Sequence, residues 1–317
     1  MNTEFDKILP DLVQDILQKY NDSDLLLGKT EKQLPVRSDI IDILNEFKEL
    51  LFPGYFSAEQ ITYNTASFYI GQKIAGLHHK LAKQIALALA YEDASSLTCN
   101  SPEIKQKAEA LCCQFFQTIP TIQESLLLDV QAGYDGDPAA DSREQIIFSY
   151  PGFYAILVYR IAHELYKLNV PFIPRIMTEQ AHSKTGIDIN AGATIGTYFF
   201  MDHGTGIVIG ETTVIGNYVK LYQGVTLGAL STRGGQHLSG VRRHPTIGDR
   251  VTIYSNATIL GGETVIGADS VIGGGAFITS SIPPHTRVSV TPPELAIKND
   301  THKNTTNTNA TQYVYEI

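Results

Sequence analysis

A period of six residues governs the C-terminal part of this 317-residue chain. From about Gly186 onward, Ile189, Ile195, Met201, Ile207, Val219 and Val225 fall six or twelve apart, with Thr213 filling the gap. A parallel row, Ile209, Ile215, Leu221 and Leu227, keeps the same spacing. The repeat resumes at Ile247, Ile253 and Ile259, slips by one residue, and continues at Ile266, Ile272 and Ile278. Such a period fits neither an amphipathic helix nor one long strand. It fits a coil of short strands, each turning one apolar residue inward, with three hexads to a triangular turn. Glycines recur after the apolar residue, at Gly196, Gly210, Gly216, Gly248, Gly267 and Gly273, and are read as supplying positive φ at the corners. The pattern persists for about ninety residues, which favours the solenoid over an antiparallel sandwich with evenly spaced turns.

The preceding part has a different rhythm. Leu9, Leu12, Val13, Ile16 and Leu17 recur at helical spacing, as do Ile40, Ile43, Leu44, Phe47 and Leu51, before Pro53-Gly54. A long helix is predicted from about Ser67 to Tyr91. Ser101-Pro102 reads as an N-cap followed by proline in the first turn. A further helix carries Tyr154, Leu157, Ile161 and Leu165. The predicted class is therefore α+β: an all-α N-terminal domain over residues 1–185, then a left-handed parallel β-helix of hexapeptide repeats over 186–290. Residues 291–317 form a tail, and a polar, glycine-rich, basic loop at 228–245 interrupts the repeat.

Composition narrows the function classes. The net charge is −9 and no Lys/Arg cluster stands out, which argues against a nucleic-acid partner. No apolar run approaches the ~20 residues of a membrane span, and the N-terminus, acidic and broken by Pro10, does not read as a secretory signal. Three cysteines, Cys99, Cys112 and Cys113, do not make a disulfide framework and suit a reducing cytoplasm; Cys112 and Cys113 read as small buried residues of a helix.

Polar groups that break the repeat are the candidates for chemistry. "MDHGTG" sets Asp202 beside His203, and Asp188 lies fifteen positions earlier, close to the row below in a coil of eighteen. An imidazole held by a carboxylate keeps one tautomer and accepts a hydroxyl proton on its other nitrogen. Arg243 and His244 stand where the loop rejoins the coil, and a guanidinium fork suits a carboxylate. "YDGDPAADS" supplies Asp137, a turn residue or a partner for an ammonium group. Together these groups suit a hydroxy amino acid. His78, His79, His163, His182, His237, His285 and His302 form no legible motif. A zinc lyase on the same solenoid would need three converging histidines, and a third beside His203 and His244 is missing at repeat spacing.

The run "MDHGTGIVIGETTVIGNYVKLYQGVTLGAL", the later "RRHPTIGDRVTIYSNATILGGETVIGADSVIGGGAFI" and "IPPHT", and the upstream "DPAAD" and "GIDIN" closely resemble serine acetyltransferases, a family of hexapeptide-repeat acyltransferases. The resemblance spans residues 130–288. It implies transfer of acetyl from acetyl-CoA to the hydroxyl of L-serine, the first committed step of cysteine synthesis, with no metal and no acyl-enzyme. It also implies His203 as general base, Asp188 as its orienting partner, Asp137, Asp202, Arg243 and His244 as serine-binding groups, and Ala229 and Ser255 near coenzyme A. A cytoplasmic homotrimer or hexamer is implied, with coenzyme A between subunits. The resemblance further implies that a C-terminal isoleucine, here Ile317, enters the active site of O-acetylserine sulfhydrylase. The tail before it, "NDTHKNTTNTNATQ", is too polar to build a core. Two departures stand out: a longer loop before Arg243, and "SVTPPELAIK" where the family usually has "GVPA". A sugar or xenobiotic acceptor would leave Arg243 without an obvious duty.

Overall fold

The computed structural model describes residues 3–28 and 32–291; the tail from residue 292, Ile317 included, lies outside the described residues. Up to Thr185 the described chain is helical, and from Asp188 it is a parallel-strand solenoid. Three sheets run the length of the solenoid, and every strand pairs in parallel with the strand one coil away. The first face stacks Asp188–Ile189, Val208–Ile209, Thr226–Gly228, Thr258–Leu260 and Phe277–Ile278. The second stacks Thr194–Ile195, Val214–Ile215, Thr246–Ile247 and Val265–Ile266. The third stacks Phe200–Asp202, Lys220–Tyr222, Thr252–Ile253, Val271–Ile272 and Arg287–Val288.

The inward ladder explains the period. Ile189, Ile209, Leu227, Ile259 and Ile278 superpose on one face, and all are buried. The continuation of Met201 is therefore Ile209, not Ile207. Asp188 pairs with Val208, twenty residues on, whereas Val208 pairs with Thr226, eighteen on. The first coil is two residues longer, and the surplus is housed in the Asp202–Gly206 corner. Ile207 is buried too, but in the row of the residue that precedes each strand, with Val225 and Ala257. A one-residue slip after Ile259 has a comparable cause. Gly261 and Gly262 add a residue where the loop folds back, and a Cβ on Gly262 would lie 2.5 Å from the Arg242 carbonyl oxygen.

The recurring glycines do a different job from the one expected. None of Gly196, Gly210, Gly216, Gly248, Gly267 and Gly273 has positive φ. Left-handed backbone falls instead two residues before the strand at two corners: on Tyr198, Tyr218, Arg250, Asp269 and His285 before the third face, and on Gly186, Gly206, Gly224, Asn256 and Gly275 before the first. The glycines are required by close approach: a Cβ on Gly196 would sit 2.6 Å from the Gly216 carbonyl oxygen, and on Gly267 2.3 Å from the Pro284 nitrogen. Between coils, asparagine and aspartate side chains take up corner amides, as when Asn217 N–H donates to Asp249 Oδ1 at 2.8 Å.

Helices brace the first coil. The Ile119–Gly136 helix carries Asp129, buried and bonded in bidentate fashion to Arg160 of the Pro151–Lys167 helix at 2.5 and 2.9 Å. Burial pushes the Asp129 carboxyl up, and the Arg160 guanidinium opposes that. Arg160 also donates to the Gly196 carbonyl at 2.8 Å, and Phe199 N–H donates to Asp129 at 2.9 Å. Both helices are thereby locked to the coil that bears Asp202. Gly152 lies so close to that coil that a Cβ would meet the Met201 carbonyl oxygen at 2.6 Å.

Two other sequence expectations change. Pro10 does not break the first helix, which runs through it from Glu4 to Asp22 behind a capping box of Thr3 and Asp6. Its apolar row, Leu9, Leu12, Val13, Ile16 and Leu17, is exposed in the single chain. Of the adjacent cysteines only Cys112 is buried; Cys113 is exposed. Among the described residues, no helix is long and apolar enough to cross a membrane.

Candidate active site

The corner after the Phe200–Asp202 strand holds the first cluster. The surplus residues put His203 at φ 56°, followed by Gly204 and Gly206, also at positive φ. Gly206 N–H closes the bulge onto the Gly186 carbonyl at 2.8 Å, the residue that caps the last helix in a left-handed conformation. Bulging outward keeps the imidazole out of the core: its side chain is 73% exposed. Its Nε2 lies 3.8 Å from Asp202 Oδ1. Asp202 itself is nearly buried, and its other oxygen pairs with Lys220 Nζ at 3.1 Å. Lys220 stands one coil above Phe200 and also donates to the Gly136 carbonyl at 2.6 Å. Burial works against the Lys220 charge, but bonds to Tyr222 and Asp202 outweigh it and leave its pKa raised.

Asp137 joins this corner from the helical side. It follows the Ile119–Gly136 helix as its C-cap. Its Oδ2 accepts from the Tyr150 hydroxyl at 2.6 Å and its Oδ1 from Ala139 N–H at 2.8 Å. The Tyr150 bond is the main reason the Asp137 carboxyl is held below the usual carboxylate range, with Lys220 and His203 adding to it. The Tyr150 phenol is in turn pushed up to about 12, by burial first and by Asp137 second. Asp137 and Asp202 as carboxylates with Lys220 as ammonium give the corner one net negative charge, which suits a substrate ammonium.

Asp188 faces elsewhere. Its carboxylate converges with Glu179 and His182 of the Ile173–Thr185 helix, the three donor atoms lying within 4.8 Å of one another. Among the described residues no ion pair joins Asp188 to His203. Asp202 is the carboxylate within reach of the ring.

The second cluster lies at a different corner, where the loop rejoins the coil before Thr246. Thr212 organises it: its hydroxyl oxygen accepts from the amides of Arg243 and His244 at 2.9 and 3.1 Å. Thr212 N–H donates to His244 Nδ1 at 3.1 Å, which leaves the ring proton on Nε2. Burial, and then the neighbouring Arg243 charge, lowers the His244 pKa. The ring lies flat against Gly210, where a Cβ would sit 2.1 Å from Cδ2. Arg243 is paired with Glu211 at 2.5 Å. Ala229 follows the Thr226–Gly228 strand, and Ser255 turns the corner before Thr258–Leu260, so the two occupy opposite ends of one face.

Sequence reasoning missed Tyr150, Lys220, Glu211 and Thr212. Lys220 belongs to no motif; its place beside Asp202 comes from the parallel register that stacks it on Phe200 one coil away. "GETT" offered a signal, since Glu211 and Thr212 follow Gly210 in the motif run. Two hollows of about 480 and 520 Å³ lie in the helical part around His79 and Lys83, away from both clusters. In one chain the chemistry is therefore displayed on open corners.

Comparison with known proteins gives the family. The family described as "Serine acetyltransferase, N-terminal" matches residues 66–157. A plasmid serine acetyltransferase of Synechococcus elongatus is 43% identical over 238 residues, covering 73% of this chain and 74% of the relative. The serine acetyltransferase of Bacillus subtilis is 47% identical over 125 residues, 39% of this chain and 55% of the relative. Among solved structures, Entamoeba histolytica serine acetyltransferase 1 in complex with L-cysteine superposes with a TM-score of 0.68 at 34% identity, covering 82% of this chain and 88% of that one. The Neisseria gonorrhoeae enzyme in complex with serine gives 0.52 at 30% identity, covering 80% and 97%. With its helical domain, its solenoid and a 43% identical relative matched over 74% of its length, the chain belongs to the serine acetyltransferase family.

Proposed function

We propose that this chain is a serine O-acetyltransferase, moving the acetyl group of acetyl-CoA onto the hydroxyl of L-serine to give O-acetyl-L-serine and CoA, the first step of cysteine biosynthesis. The observation that carries this reading is the first-coil corner, where an exposed imidazole lies within 3.8 Å of Asp202. His203 Nε2 takes the serine hydroxyl proton as the oxygen attacks the thioester carbonyl. When the tetrahedral adduct collapses, the C–S bond breaks and the imidazolium returns the proton to the departing thiolate. Asp137 and Asp202 hold the serine ammonium. Arg243 and His244 hold its carboxylate. Asp188, whose amide donates to the Ile207 carbonyl at 2.9 Å, serves as the orienting carboxylate once the exposed ring turns from Asp202 towards it, and Ala229 and Ser255 line the coenzyme A groove. No metal takes part.

The two clusters occupy different corners of one prism, so one small substrate reaches both only if a second copy brings its Arg243 corner to the first copy's His203 corner. A closed ring of three copies satisfies that condition, and a hexamer is two such rings. The cytoplasm is the expected compartment, in keeping with three free thiols. Ile317 is read as the segment that docks into O-acetylserine sulfhydrylase; its deletion should abolish that binding and spare acetylation, and unchanged affinity would reject the role.

An acceptor screen tests the activity. Free thiol released from acetyl-CoA is followed with serine, homoserine, threonine and amino sugars. Turnover of serine well above the rest is expected. Turnover of an amino sugar with serine inert would overturn the assignment.

A further inference from the structure

We propose that the helical domain carries a zinc-type metal site made by His78, Glu109 and Cys113, separate from the acetyl-transfer corners. His78 comes from the Tyr63–Glu92 helix; Glu109 and Cys113 come from the Pro102–Gln117 helix. The latter two are four residues apart, which puts them on one helix face. The same three atoms define a triangle: His78 Nε2 to Glu109 Oε1 3.3 Å, His78 Nε2 to Cys113 Sγ 3.6 Å, and Cys113 Sγ to Glu109 Oε1 3.9 Å.

Those edges are the ones a tetrahedral metal requires. Zinc bonds of about 2.3 Å to sulfur and about 2.0–2.1 Å to nitrogen or oxygen give donor–donor edges of about 3.3–3.6 Å. Two edges already match, and the third closes with a few tenths of an ångström of carboxylate movement. Donor chemistry agrees: a soft thiolate, a borderline imidazole and a hard carboxylate are together a set for zinc or cobalt rather than for magnesium or calcium. Two anionic donors and one neutral donor balance a dication. The fourth position opens to solvent, since Glu109 and Cys113 are exposed and water can reach it.

His78 is held for the task. Its ring packs against Phe116 with centroids 5.5 Å apart, and the Cys112 thiol donates to its backbone carbonyl at 3.5 Å. Cys112 itself does not compete as a ligand, because it is buried and its thiol is turned to the His78 carbonyl. A metal here staples the two helices across the solvent side of their interface. Binding takes Cys113 as thiolate and releases its proton to the medium.

Cobalt(II) added to reduced, tag-free full-length protein reports the site directly, because only a thiolate ligand gives a sulfur-to-cobalt charge-transfer band in the near ultraviolet. The expected result is a band saturating at one equivalent per chain, abolished by zinc, absent in Cys113→Ser and at least tenfold weaker in titration for His78→Ala. Glu109→Gln should weaken it similarly. Acetyltransferase turnover and the metal-free Tm of Cys113→Ser should match the parent. A parallel measurement on the parent alone follows alkylation of each cysteine by mass spectrometry, with zinc slowing modification at Cys113. A missing band in the parent overturns the proposal, as does an undiminished band in Cys113→Ser or His78→Ala, or alkylation of Cys113 at the same rate with and without zinc. Metal held by Glu179, His182 and Asp188 would give no sulfur band, so the readout separates the two clusters.

Discussion

The two polar corners of the solenoid are built by opposite means. The His203 corner gains two residues and is held from outside: Tyr150 bonds Asp137, Lys220 bonds Asp202 and the Gly136 carbonyl, and Asp129 with Arg160 fixes the helices to the coil. The Arg243 corner follows a long loop and is held from within the solenoid by Gly210, Glu211 and Thr212. The first leaves its key side chain free and solvated. The second leaves its imidazole buried and its guanidinium already paired. A general base must meet a hydroxyl and pass on a proton, and binding groups must stay where they are, so freedom and fixation fall as the proposed roles require.

Several substitutions test that contrast. His203→Ala should lower kcat by about 10²–10⁴, the usual worth of a positioned base. Its Tm should be unchanged, because the ring is exposed. Retained turnover in a stopped-flow or thiol-release assay would remove the imidazole from the mechanism. Asp188→Asn should cost less than His203→Ala, since orientation is lost and the base remains. A larger loss would mean that the aspartate does more than orient.

Asp129→Asn probes the external bracing. Breaking a buried, bidentate ion pair from one side costs about 3–5 kcal/mol. Denaturant unfolding should show that loss, and activity should fall with it because Asp137 and Asp202 lose their common frame. Full stability would mean that the helices are not what fixes the first corner.

Arg243→Ala probes the internal one. Losing a charge-assisted hydrogen bond to the substrate carboxylate, about 1.5–3 kcal/mol, should raise the KM for serine roughly tenfold to hundredfold. The kcat should change far less. An effect confined to kcat would reassign Arg243 from binding to the chemical step.

The smallest effect is on stability against pH. The pKa of His244 is lowered in the fold, so between its folded value and the ordinary imidazole value of about 6.5 the unfolded chain binds the extra proton. Stability therefore falls as pH drops through that window. His163, lowered by burial and bonded to the Ala191 carbonyl at 2.8 Å, acts in the same direction. Thermal unfolding from pH 7.5 to 5.5 should show a shallower decline for His244→Asn than for the parent. Parallel curves would show that His244 takes up its proton equally in both states.

The sequence alone determined the solenoid, because each short strand repeats one simple demand: an inward apolar residue every six positions, and no Cβ where the next coil passes. It also placed Asp202, His203, Arg243 and His244 among the polar interruptions, since polarity in an apolar ladder is visible without coordinates. Helices such as Pro151–Lys167 were legible for the same reason, their apolar spacing being local. The function of the recurring glycines was not, because close approach between coils depends on residues about twenty positions away, not on the local turn.

Only the tertiary structure decided the neighbours. Lys220 meets Asp202 on a diagonal: the twenty-residue first coil stacks Lys220 on Phe200 and sets Tyr222 opposite Asp202, and the ammonium reaches across to the carboxylate at 3.1 Å. Asp188 turns toward Glu179 and His182 because the last helix ends on Gly186, directly beside the first strand. His203 and Arg243 fall on separate corners because His203 follows a strand of the third face, whereas the loop that carries Arg243 leaves the first face after Thr226–Gly228 and rejoins the coil at the second with Thr246–Ile247.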